Sequence, residues 1–126
     1  MPVTRRNQRA KKGPAPRRSP CPVAYSLDIF GDRWTLLVIR DLFFGRTRFK
    51  EFAASPEGIP TNILTERLER LLARGIIKQI PAEDGTKRLA YRITKKGKAL
   101  GRVLRAMRDW GLAWDKSTRV QMRRGS

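Results

Sequence analysis

The stretch that decides the fold is GIPTNILTERLERLLARG, running from Gly58 to Gly75. Its apolar residues Ile63, Leu64, Leu68, Leu71 and Leu72 fall within one half of a helical wheel at roughly 100° per residue. The other half carries Asn62, Thr65, Glu66, Glu69 and Arg70, with Arg67 at its edge. Pro60 suits a first helical turn, where its missing N–H costs nothing, and Thr61 or the chain just before it supplies a cap. Gly75 suits the residue after a helix end. The spacing therefore predicts one amphipathic helix from Pro60 to Arg74. Taken alone it reads equally well as an ordinary surface helix.

The residues after it decide between these readings. Ile76 to Ile80 is a β-branched run that Pro81 is expected to break, and AEDGT reads as a turn around Asp84-Gly85. From Lys87 to Ile93 the chain alternates, with Leu89, Tyr91 and Ile93 on one face and Arg88, Ala90 and Arg92 on the other. Thr86, Lys87 and Arg88 arm the outgoing strand beside the tip. A helix followed by a basic hairpin is the sequence form of a winged helix-turn-helix: a mainly α fold with a small β-hairpin wing. In that fold the second helix enters the major groove and the wing follows the backbone.

Charge points to the same class of partner. The 126 residues hold 29 Lys and Arg against 11 Asp and Glu, a net charge of +18. A surplus of this size calls for a polyanion, with nucleic acid first and an anionic membrane surface second. Residues 1–19 carry seven basic residues and no acid, residues 115–126 four basic and one acid, and the span 20–114 still has a surplus of eight. The first 19 residues are expected to form a disordered basic arm, residues 20–115 one folded domain, and residues 116–126 a basic tail. The arm either adds sequence-independent phosphate contacts or is merely solvated. One cysteine and no histidine exclude an intramolecular disulfide, histidine catalysis and a zinc site within one chain. No cofactor and no metal are expected. With no apolar run long enough to span a bilayer and no signal-peptide pattern, the expectation is a cytoplasmic protein without a membrane partner.

Other elements follow from the same rules. A short helix is expected from Pro22 to Phe30, ended by Gly31. Asp32 is placed to cap a second helix from Arg33 to Phe44, apolar nearly all round and hence central to the core. Gly45 ends it, and Phe49, Phe52 and Ala53 lie on a short helix with both phenylalanines inward. Pro56, Glu57 and Gly58 make the turn of the helix-turn-helix. Arg46, Arg48 and Lys50 stand where this element would meet a phosphate backbone, or form a solvated charge run. Thr94 is expected to cap one long last helix. Along it Leu100, Val103, Leu104, Met107, Trp110 and Trp114 recur at three- and four-residue steps. Such a stripe serves either as intrachain core or, with Val23 and Leu27 of the first helix, as the seam of a homodimer. Gly97, Gly101 and Gly111 each weaken a helix by up to ~1 kcal/mol relative to Ala and are tolerated where another backbone packs close.

These residues resemble the HxlR-type winged-helix transcriptional regulators. The resemblance is carried by CPV from Cys21, DRWTLLVIRDLFFG from Asp32, RFKEF from Arg48, GIPTNILTERLERL from Gly58 and YRITKKGKAL from Tyr91, in that order. It covers about residues 21–114 and leaves both tails outside. It differs from many members at Pro60, where they carry a serine cap. The resemblance implies a bacterial, cytoplasmic homodimer on double-stranded DNA, joined through its N- and C-terminal helices. It makes Pro60 to Arg74 the recognition helix and Pro81 to Leu89 the wing. It also implies a small-molecule or oxidant effector, since some members sense redox change through a cysteine at the position of Cys21. Here there is no second cysteine to resolve an intrachain disulfide, and the bland alternative is a small packed residue.

The expected function is a sequence-specific regulator, a repressor or recruiter of transcription on a palindromic operator, and not an enzyme. Asn62 suits an adenine edge, Arg67 or Arg70 guanine, and Thr61 and Thr65 backbone or methyl contacts. Arg48, Lys87 and Arg88 would neutralise phosphates. The competing reading is a basic protein that packages DNA or binds RNA without sequence preference.

Overall fold

The computed structural model describes residues 19–81 and 88–119. Six helices and one hairpin follow in the order α1 Pro22–Phe30, α2 Thr35–Phe43, α3 Phe49–Ala53, α4 Thr61–Ala73, β1 Ile77–Pro81, β2 Leu89–Ile93, α5 Lys95–Lys98 and α6 Gly101–Trp114. The arm expected over residues 1–19 lies, Ser19 apart, outside the described residues. So do the turn at Asp84-Gly85, with Thr86 and Lys87, and the end of the C-terminal tail.

The core gathers where α2, α3, α4 and β1 meet. Val38, Ile39 and Leu42 come from α2, Phe52 from α3, and Leu64, Leu68 and Leu71 from α4, joined by Ile29, Ile59, Ile76 and Ile77. α4 ends as the glycine predicted. Gly75 takes φ +73°, Ile76 N donates to Leu71 O at 3.0 Å, and Gly75 N donates to Leu72 O at 3.1 Å. That pair of bonds satisfies two end carbonyls and turns the chain directly into the hairpin. At the other end Pro60 itself is the N-cap, extended and without a side-chain cap bond, so the helix begins one residue later than expected.

The strands pair antiparallel, Ile77 opposite Ile93 and Pro81 opposite Leu89. Pro81 therefore closes β1 instead of breaking it; as a terminal strand residue its lost donor removes only one ladder bond. The expected alternation on β2 also needs correction. Ala90 is buried while Leu89 is exposed, because α2 and the segment at Thr47 both pack against this strand, Tyr91 N donating to Thr47 O at 2.8 Å.

The long last helix is two helices. Thr94 does cap, its hydroxyl accepting from Gly97 N at 3.2 Å and donating to Gly75 O at 2.6 Å and Ile76 O at 2.9 Å. Gly97 lies so close to β1 that a Cβ there would strike the Ile76 carbonyl oxygen and the Ile93 side chain. With Gly97 pinned, the ladder tightens at Leu100, whose N–H bonds Gly97 O at 2.9 Å, and the helix restarts at Gly101 against Phe43. Gly111, by contrast, has nothing within 4 Å of a Cβ, so no backbone among the described residues explains it. Among the described residues no helix is long and apolar enough to cross a membrane.

Candidate nucleic-acid interface

α3, the turn from Ala54 to Pro60 and α4 form the helix-turn-helix, and three sets of polar bonds fix it. The first is at the start of α3. Glu51 Oε1 accepts from Thr47 N at 2.8 Å and Arg48 N at 3.0 Å, and these backbone donors, Thr47 first, hold its carboxyl below the usual carboxylate range. Arg46 and Arg48 are half-buried around this cap and Lys50 is exposed. The second set braces the turn. Arg40 grips Glu57 through both terminal nitrogens, at 2.8 and 2.9 Å, and also bonds Asp41 Oδ1 at 2.9 Å. Asp41, 2% exposed, accepts from Ser55 Oγ as well, so its buried charge is fully engaged. The edge-to-face pair of Phe52 and Tyr91, centroids 6.1 Å apart, ties α3 to the hairpin.

The third set reaches α4. Asp32 Oδ1 accepts from Trp34 N at 2.8 Å and Thr35 N at 2.9 Å, and Oδ2 from the Thr35 hydroxyl at 2.6 Å. The expected N-cap role needs correction, since α2 runs from Thr35 to Phe43 with Trp34 at its N-cap position, two residues later than expected, and Asp32 bonds the chain leading into it. The carboxylate also does more. Arg67 Nε donates to it at 3.1 Å and Arg70 Nη1 at 3.3 Å. Burial raises the Asp32 pKa, but the bonds from Thr35, Trp34 and Arg67 together outweigh it and hold the group well below the usual range. Both arginines also pair with Glu66, Arg70 at 3.1 Å. So Arg67 and Arg70, expected at guanine edges, are instead turned toward the start of α2.

What remains open on α4 is its polar face, from its first residue to past its middle. Thr61, Asn62, Thr65, Glu66 and Glu69 are exposed. The Thr65 hydroxyl donates back to Thr61 O at 2.9 Å, and the Asn62 amide has no partner among the described residues. At the far end Lys96 Nζ donates to Arg74 O at 2.8 Å, a cation on a helix C-terminus. Arg88 is exposed at the start of the outgoing wing strand. Among the described residues no group of three or more His, Cys, Asp or Glu side chains could hold a metal.

The residues expected at a dimer seam divide. Leu100 and Leu104 pack against the core and Val103 is half-buried. Val23, Leu27, Met107, Trp110 and Trp114 are exposed, the two tryptophans at 69% and 76%. Cys21 is an exposed free thiol at the N-cap of α1.

The family model for HxlR-like helix-turn-helix proteins matches residues 29–119. The chain belongs to that family. An uncharacterized HTH-type transcriptional regulator of Mycobacterium tuberculosis, MT3179, is 36% identical over 89 residues, or 71% of this chain and 56% of that protein. The chain thus spans little more than half the length of that relative. The crystal structure of PA1607 superposes with a TM-score of 0.75 at 41% identity, covering 84% of this chain and 75% of that one. The redox regulator HypR in its oxidized form superposes with a TM-score of 0.66 at 29% identity, covering 80% and 100%.

Sequence reasoning found the HxlR-like elements but missed the second task of Asp32 and the burial of Asp41. A signal existed for the first. Arg67 and Arg70 are three residues apart, hence on one helix face, and that face borders the apolar stripe, where an arginine needs an acid.

Proposed function

We propose that the protein is a homodimeric, sequence-specific regulator of transcription that binds double-stranded DNA at a palindromic operator, with α4 of each subunit in a major groove. The observation that carries this reading is the exposed start of α4, where Thr61, Asn62 and Thr65 are taken up by no packing while Leu64, Leu68 and Leu71 opposite them are buried. Asn62 pairs with an adenine edge, and Thr61 and Thr65 touch backbone or thymine methyl groups. Arg46, Arg48, Lys50, Lys87 and Arg88 neutralise phosphates, and the uncharged Thr86 of the wing hydrogen-bonds the backbone. The second copy docks on Val23, Leu27, Met107, Trp110 and Trp114, apolar surface that one chain leaves in water. The protein represses by occupying its operator in the cytoplasm. An oxidant effector acting at Cys21 is supported by the exposed thiol and by the likeness to the redox regulator HypR.

Binding of variants to an operator and to its single-base relatives tests the division of labour. Asn62→Ala should relax preference at one position per half-site, at a cost of about 1–3 kcal/mol. Arg88→Ala should weaken every sequence alike. Equal loss of preference from both would contradict the assignment.

A further inference from the structure

We propose that Asp32 is a positioning residue for DNA specificity: from the chain just ahead of α2 it holds Arg67 and Arg70 of α4 off the DNA backbone, so the reading helix meets DNA without free positive charge at its middle. This rests on the reading of α4 as the helix that enters the groove.

Asp32, Glu66, Arg67 and Arg70 form a closed set of two acids and two bases, joined by contacts from each arginine to both carboxylates. The two acids are not equivalent. The Glu66 side chain is 49% exposed on the same helix and moves with it. Asp32 is 23% exposed and tied by three further bonds to Trp34 and Thr35, so it cannot follow the arginines outward. Arg67 is drawn in furthest, its side chain 17% exposed.

The benefit lies in what a free arginine would do. A chain of net charge +18 already attracts any DNA. An arginine on a phosphate adds affinity for all sequences equally and carries no sequence information. Two of them beside Asn62 would raise binding to random DNA and dilute what the base contacts achieve. Neutralising them within the fold keeps the preference with the uncharged residues Thr61, Asn62 and Thr65.

The full-length chain, titrated over a salt series against a selected operator and a random duplex of equal length, tests this. Asn at position 32 keeps an acceptor for the Trp34 and Thr35 amides but loses the charge. Asp32→Asn should bind random DNA more tightly than the parent, steepen the slope of log affinity against log salt by about one unit, and lower the operator-to-random ratio. Arg67→Gln and Arg70→Gln added to that variant should restore the parental slope. Arg67→Gln in the parent should leave the slope unchanged, a result that stands even where Asp32→Asn folds poorly. An unchanged slope in Asp32→Asn, equal losses on both duplexes, or a flattened slope in Arg67→Gln would overturn the proposal. A parental operator-to-random ratio near one would reject the reading of α4 itself, and this inference with it.

Discussion

α4 and α6 are amphipathic helices of 13 and 14 residues, and the fold treats them in opposite ways. α4 buries Leu64, Leu68 and Leu71 to 2% or less, and every apolar residue on its inner face meets the core. α6 buries only Gly101 and leaves Met107, Trp110 and Trp114 in water. An apolar stripe on a helix shows that something must cover it, not what does. For α4 the cover is the same chain. For α6 beyond Leu104, which packs on the core, no described residue supplies it, and the open Cβ position of Gly111 lies on that stretch.

The largest effect should separate the two helices. Leu68→Ala should cost about 2–5 kcal/mol in urea unfolding, as loss of a fully buried leucine does. Met107→Ala in dilute protein should cost less than about 0.5 kcal/mol, the range of surface changes. Trp110→Glu should likewise leave dilute stability nearly unchanged yet abolish the dimer in sedimentation velocity. Similar costs for Leu68→Ala and Met107→Ala would erase the contrast.

A smaller effect probes the packing of α5, just ahead of α6, on the hairpin. Gly97→Ala should destabilise by about 1–3 kcal/mol, because the added methyl meets a backbone carbonyl and a core isoleucine that cannot both give way. Thr94→Val should cost about 1 kcal/mol through the lost cap on Gly97 and the lost bonds to Gly75 and Ile76.

The smallest concerns acid. Asp32 has a folded pKa below its ordinary value of 3.8, so the stability it supplies is complete above that value and is lost as pH falls toward the folded one. The gap in Tm between the parent and Asp32→Asn should be constant from pH 7 to about 5 and narrow below about pH 4. A gap that widened on acidification would show the sign to be wrong.

These contrasts also mark what the residues alone could tell. α4 was legible because its period, Gly75 and the β-branched run after it agree. The close approach at Gly97 was legible in kind, since a helical glycine asks for a neighbouring backbone. The break before α6 was not, because it depends on where the turn after α4 puts the Ile76 carbonyl. Arg67 and Arg70 look like base readers on a helical wheel; only the return of α2 beside α4 supplies the Asp32 that claims them. Ala90 shares a strand face with Arg88 and Arg92, and its burial depends on distant elements packed on β2 that the strand's own residues do not reveal. The two tails, strongly basic in sequence, lie outside the described residues but for Ser19 and the stretch up to Arg119.

The central claim is that two copies, joined through the uncovered face, present two α4 helices to one DNA duplex. Repeated selection of bound duplexes from random DNA by the purified chain tests it most directly. The account predicts an enriched inverted repeat whose half-sites are centred about 34–36 Å apart, or a multiple of that spacing. Recovery of sequences with no shared motif, or of a single unrepeated half-site, would contradict it.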